Sequence, residues 1–211
     1  MVGKLFIDGN DAYTSYGVVV EDSNSLLDPV SMKDPTVNKW GDENGVEVYT
    51  GEVYFEPRAL SLKVAIVGTS ASNMMSRLKT FFNALNATGL RYLKAQYINK
   101  GYLVYLKDTS PVSKITRFNG NPSIARFTLH FTEPYPVGRH FVTSSSSVTV
   151  TITCTKTLTV WWGDGTSETV QGTGDTAVKN YGSGGTRYIV IYGSIETIAS
   201  LSVSNSSELT N

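Results

Sequence analysis

The chain holds a single cysteine, Cys154, so it has no partner for an internal disulfide and no thiolate set for a zinc site. It has two histidines, His130 and His140, neither with a second histidine at ligand spacing. That leaves little material for metal or triad chemistry, and surface or interface roles are the expectation for both. Charged residues make up only 17%, and 18 basic side chains cancel 18 acidic ones, which removes the broad cationic field of a nucleic-acid binder. Apolar runs such as Val64–Val67 fall far short of the ~20 residues a membrane-spanning helix needs. The opening Met1–Gly9 has no apolar stretch of signal-peptide length, so no export is expected. No pair of carboxylates sits in a recognisable hydrolase setting. The expectation is a protein with no catalytic residues, no metal and no cofactor.

What is present is core-forming material: 40% apolar and 11% aromatic residues over 211 positions, enough for one large domain or two small ones. Composition changes near residue 143. Residues 1–143 carry 15 basic and 13 acidic side chains; residues 144–211 carry 3 and 5, and 25 of those 68 positions are Ser or Thr. The tract Thr143-Ser144-Ser145-Ser146-Ser147 reads as a short linker between domains 1–143 and 144–211.

The first part is mostly period-two sequence. Leu60, Leu62, Val64 and Ile66 alternate with Ser61, Lys63 and Ala65, and Ala125, Phe127, Leu129 and Phe131 alternate with Arg126, Thr128 and His130. Each pattern is a strand with one buried face. Further strands are expected at Lys4–Ile7, Tyr16–Glu21, Val46–Phe55, Arg91–Tyr97, Tyr102–Lys107 and Val112–Phe118, with turns at Asn99-Lys100-Gly101 and Asn119-Gly120-Asn121-Pro122. One stretch breaks the pattern. Met74, Met75, Leu78, Phe81, Phe82 and Leu85 form a helical stripe, with Ser70 or Ser72 to cap it and Gly89 to end it. A lone helix over about 70–88 in an antiparallel β domain is expected.

Residues 22–45 are different again. Asp28-Pro29 and Asp34-Pro35 bias the chain away from helix, and Asn44-Gly45 signals a hairpin turn. A connection of more than ~15 residues is uncommon in a compact domain. Met32, Val37 and Trp40 give it apolar surface to bury. Two readings stand: an arm that docks on a neighbouring subunit, or a loop folded over its own domain. Asp42, Glu43 and Glu47 form a small acidic cluster nearby, either solvated or facing basic residues of another subunit.

The tail reads as short strands, at Val148–Cys154, Leu158–Trp162, Tyr188–Tyr192 and Thr197–Val203, which suggests a small β-sandwich. Cys154 falls on the apolar side of its strand, as a small buried hydrophobe does. Gly182-Ser183-Gly184-Gly185 lacks the ending of a phosphate loop and reads as a hairpin loop. In Trp161-Trp162-Gly163-Asp164-Gly165-Thr166 the glycines permit positive φ, and Asp164 is expected to form the turn, with a calcium role as the alternative. Trp161, on the outward side, is the candidate contact for a sugar or a partner.

Two resemblances attach to these residues. Val160 to Thr166, then Lys179-Asn180-Tyr181, then Gly185 to Ile191, resemble a PKD-type immunoglobulin-like module, with Lys179 where that family often has His. The likeness implies a spacer or adhesion module with no catalytic residues.

Residues 1–136 resemble phage distal tail proteins and the related tail-tube fold. The likeness rests on the order of elements: Ile7-Asp8-Gly9, Tyr16–Val20 and a long loop, then Arg58–Leu62 leading through Val67-Gly68-Thr69-Ser70 into the helix. The domain closes on Phe127–Phe131 and Pro134-Tyr135-Pro136. It implies a mainly β fold, a split β-barrel with one helix, followed here by a small Ig-like β-sandwich. It also implies a virion structural protein of a phage or prophage tail, forming a homo-hexameric ring that joins tail tube to baseplate or tail fibre. The alternatives are the major tail-tube subunit and a cell-surface carbohydrate-binding or adhesion protein. The expected partners are copies of itself and other tail proteins, with weak contact to host-surface glycan, no membrane and no sequence-specific nucleic acid.

Overall fold

Alternation in sequence becomes alternation in space. The computed structural model describes residues 5–42, 44–98, 100–116 and 123–209. Lys4, Glu43, the Asn99 turn residue, and residues 117–122 with their Asn-Gly-Asn-Pro turn lie outside the described residues. In chain order the first part contains β1 (Leu5–Ile7), β2 (Asn10–Asp11), α1 (Ala12–Tyr16), β3 (Val18–Asp22), β4 (Thr36–Asn38), β5 (Glu47–Tyr49), β6 (Arg58–Gly68), α2 (Ala71–Leu85), β7 (Arg91–Ala95), β8 (Gly101–Thr109), β9 (Ser113–Thr116) and β10 (Ser123–Glu133).

Eight of these strands make one curled antiparallel sheet in the order β2-β1-β7-β8-β10-β6-β3, with β9 added alongside β10. Its spine is the β6–β10 ladder, where Leu62 faces Leu129 and Val64 faces Phe127. Leu60, Leu62, Val64, Ile66, Ala125, Phe127, Leu129 and Phe131 are all buried in one core. A slip of one residue would turn this whole set to solvent, so the register is tightly specified.

The helix α2 closes the open side of that core. Ser70 caps it by accepting the Asn73 amide proton, and Met74, Phe81 and Leu85 point inward. Phe81 and Phe82 meet Phe127, with ring centroids 6.5 and 5.4 Å apart. Gly68 permits the strand-to-helix corner, since a Cβ there would lie 2.4 Å from the Met74 nitrogen. The helix ends at Leu85, where the Asn86 amide bonds the Phe82 carbonyl; Gly89, expected to terminate it, adopts a φ of 90° farther on.

Among the described residues α2 is the one helix longer than about a turn. The expected strand start at Tyr16 is instead the end of α1, a single turn capped by Asp11, which accepts from the Tyr13 and Thr14 amides, and closed by Gly17 at φ 71°. Asp11 won this segment for helix because its side chain satisfies two otherwise orphaned donors.

The second part contains β11 (Gly138–Thr143), β12 (Ser147–Trp161), β13 (Ser167–Asn180), β14 (Arg187–Gly193), β15 (Ile198–Val203) and β16 (Ser206–Leu209). They form one hydrogen-bonded sheet in the order β13-β12-β14-β11-β16, with β15 also on β12. β12 serves three neighbours: β13 along its length, β15 on its first half and β14 on its second. The pairing shifts between Cys154 and Leu158, and a second core of Val148, Val150, Ile152, Cys154, Leu158, Val160 and Trp162 fills the inside.

Three sequence expectations change here. Residues 138–143, grouped with the first part by composition, pair with β14 and β16. The serine tract therefore turns the chain between two strands of the second part, with the Ser145 amide bonding Thr143 Oγ1 at 3.0 Å. The glycine-rich 182–185 stretch is not a hairpin loop, because it carries the chain from β13 to β14 across the intervening β12.

Candidate functional site

The long excursion after β3 begins with a buried anchor. Leu26, in a short 3-10 turn over Asn24–Leu27, packs into the first core, and its carbonyl accepts the Tyr102 hydroxyl proton at 2.6 Å. Ser25 Oγ bonds both the amide and the carbonyl of Ser61, filling strand positions left open beyond β3.

From there the chain leaves the body as a two-stranded arm. At its root the Glu56 amide bonds the Ser31 carbonyl at 2.9 Å, and the Lys33 amide bonds the Tyr54 carbonyl at 2.8 Å, around a Met32–Phe55 bridge. Farther out, β4 and β5 pair Thr36 with Tyr49, Val37 with Val48, and Asn38 with Glu47. The expected strand over Val46–Phe55 is thus reduced to three residues and one bridge. Trp40 donates its indole proton to Glu47 at 3.2 Å, so this member of the acidic cluster braces the arm internally.

A ribbon of two strands has no second layer to cover its side chains. Met32 is 65% exposed, Val37 43% and Trp40 55%, and Val46, Val48, Tyr49, Val53 and Tyr54 are exposed with them. Among the described residues, no hydrogen bond or ion pair ties residues 36–49 to the body. Of the 22–45 stretch, Ser25 and Leu26 thus fold onto their own domain, while Met32, Val37 and Trp40 stay exposed.

The root itself is clamped. Arg58, where β6 begins, donates through Nε and Nη2 to Glu133 at the end of β10, and through Nη1 to the Asp28 carbonyl at 3.2 Å. Its guanidinium lies 4.8 Å from the centre of the Tyr102 ring. Burial pushes the Glu133 carboxyl above its usual range, against the pull of Arg58. Burial, reinforced by Arg58, pushes the nearby Lys100 ammonium down.

Beside the root lies a hollow of about 480 Å³. Its walls are Tyr54 and Phe55 from the returning arm strand, Pro134, Tyr135 and Pro136 from the connector between the sheets, and Ile195 from the second part. Tyr135 is held in place by stacking on Tyr192, centroid to centroid 4.1 Å.

Trp161 does not belong to any such surface. It does face away from the second core, as alternation requires, but that face is covered by the first sheet, leaving the side chain 3% exposed. It joins Tyr92, Leu103, Tyr188, Val190 and Tyr192 in a third cluster between the sheets. Tyr92 stacks on Tyr188 at 4.4 Å and lies nearly parallel to Trp161 at 6.1 Å. A sugar has no access to this indole.

His140 is buried at the same seam rather than on the surface, with Nδ1 3.2 Å from the Tyr92 hydroxyl. Burial, with Lys100 nearby, lowers its pKa to about 4. His130 stays on the polar face of β10, 3.9 Å from Asp108.

Asp164 forms the turn. It accepts from the Thr166 amide at 3.0 Å and hydroxyl at 2.6 Å, and pairs with Lys179 at 2.7 Å. Partial burial pushes its carboxyl up, but these three donors outweigh it and hold the group below its usual range. With its oxygens so engaged, Asp164 lacks the carboxylate company that calcium needs, and no group of three or more candidate ligands occurs among the described residues.

No family model matches the chain, and no curated protein does. Among solved structures it is similar to the SPP1 Dit (gp 19.1) protein, described as a paradigm of the hub adsorption apparatus of phages that infect Gram-positive bacteria. The identity is 10% and the TM-score 0.48, over 91% of this chain and 99% of that one.

Proposed function

We propose that this chain is a structural subunit of a phage or prophage tail, the distal hub between tail tube and baseplate, and that it works by assembling with copies of itself into a ring. The observation that carries the reading is the arm. A protein that carries Val37, Trp40, Val46, Val48 and Tyr49 exposed on a ribbon with no second layer is built to bury them on something else. The order of elements across residues 1–136 supports the tail-protein class. Ring closure needs two different complementary surfaces on each copy and a rotation that returns to the start, six times in a hexamer. Zero net charge favours repeated self-contact and leaves a lumen that does not hold passing DNA.

We take the boundary between ring-forming and C-terminal units to fall at the 134–137 connector, and the C-terminal unit to be a PKD-type module with its Gly-Asp-Gly turn fastened by Lys179. The glycan-binding alternative loses its one candidate contact with Trp161 buried. Electron microscopy of the concentrated protein, alone and with its tail neighbours, tests the reading. A hub stops at one or two rings, a tube subunit grows filaments, and a protein that stays monomeric with every tail partner overturns both.

A further inference from the structure

The arm carries the longest run of exposed apolar side chains, and it returns to the body at the rim of the hollow, where Tyr54 and Tyr135 stand half out. We propose that this hollow is the socket for the arm of a second copy of this chain, so that each copy's arm enters the root of the next. The proposal rests on the ring reading above and names its contact.

Three observations select a second copy as the occupant. The first is reach. About ten residues separate the Met32–Phe55 bridge from the turn of the arm, which at ~3.3 Å per residue gives roughly 30 Å of extension. A body of this chain length is only about 40 Å across. An arm of that length is long enough to cross most of a neighbour. The second is shape. The arm's apolar side chains sit on a narrow ribbon, and a hollow of about 480 Å³ falls in the size range that takes one or two large side chains such as Trp40 and Tyr49. The third is chemistry. Pro57, Pro134 and Pro136 offer no amide protons and little freedom, so the socket is preformed and mostly apolar, with Tyr54 and Tyr135 as flat walls and Lys33 and Glu196 as its charged members.

Arm into root is also a contact between two different surfaces, the kind that closes a ring, whereas arm against arm would stop at a dimer.

Cysteine cross-linking of the full chain tests this, since Cys154 is buried and silent. Val48→Cys marks the arm and Glu196→Cys the socket rim, with Val178→Cys on the far face of β13 as the control for random collision. Under mild oxidation at high concentration, the V48C/E196C protein gives a ladder of linked oligomers. A mixture of the two single variants gives linked dimers only, at least tenfold above V48C mixed with V178C. Equal linking with the control, or V48C linking to itself as readily, overturns the socket. If microscopy shows rings but the ladder is absent, the socket falls while the ring reading stands. If no oligomer of any kind forms, both fall.

Discussion

Tyr92 and His140 meet across the seam between the two sheets, the phenol oxygen 3.2 Å from Nδ1 of the imidazole. With the ring neutral, which of the two atoms donates follows from which imidazole nitrogen carries the proton. Each group belongs to a different sheet, so the bond reports whether the sheets stay together.

The burial of His140 makes stability depend on acidity. The folded-state pKa of about 4 lies below the ordinary value of 6.5, so the unfolded chain binds the extra proton between them. The stabilising contribution is complete above pH 6.5 and is lost as pH falls toward 4. Between pH 7.5 and 5 the loss is about 2 kcal/mol. Urea denaturation at both pH values measures it, and His140→Gln should flatten the difference whatever it does to absolute stability.

Removing one member of the Arg58–Glu133 pair leaves a charge stranded in the interior. Glu133→Leu or Arg58→Met should each cost about 3–5 kcal/mol, and the double replacement R58M/E133L less than the sum of the two. A double-mutant cycle by denaturant unfolding reads the coupling. Additive losses would mean that the two residues act separately.

Trp161→Ala should be a stability variant and nothing else. Opening a cavity in the inter-sheet cluster costs about 3–5 kcal/mol. Any glycan the native protein retains on an array should be retained equally by this variant under conditions where it is folded.

Trp40→Asp should behave in the opposite way. The side chain is exposed and far from both cores, so the melting curve should change by no more than about 0.5 kcal/mol. Self-association measured by light scattering should be lost. A folded W40D protein that assembles normally would remove the arm from the assembly mechanism.

Much of this fold is legible along the chain because it is written in local alternation. β6, β10 and α2 follow from the spacing of Leu60–Ile66, Ala125–Phe131 and Met74–Leu85. β13 does not, because Gly172 and Gly174 interrupt a stretch rich in polar residues, and its pairing with β12 overrides weak propensity. The arm is half legible: two Asp-Pro pairs and Asn44-Gly45 mark an irregular excursion, but only hydrogen bonds between residues distant in the chain, such as that from Glu56 to Ser31, make it a ribbon. Trp161 and His140 show the limit. Period two says which face a side chain takes, and nothing local says that another sheet will cover that face. The hollow draws its walls from three separate stretches and has no signature in any one of them.

The neighbouring indoles where β12 ends sit in different interiors, Trp162 just past the strand among the residues of its own sheet and Trp161 against the sheet beside it. One strand thus works as a rivet through two plates. Sliding one plate over the other would have to tear a ring out of its bed, and a pull on either half is felt at once by both. The halves cannot swing like beads on a string, so the angle at which the second half stands from the first is set when the chain folds, not when it meets a partner.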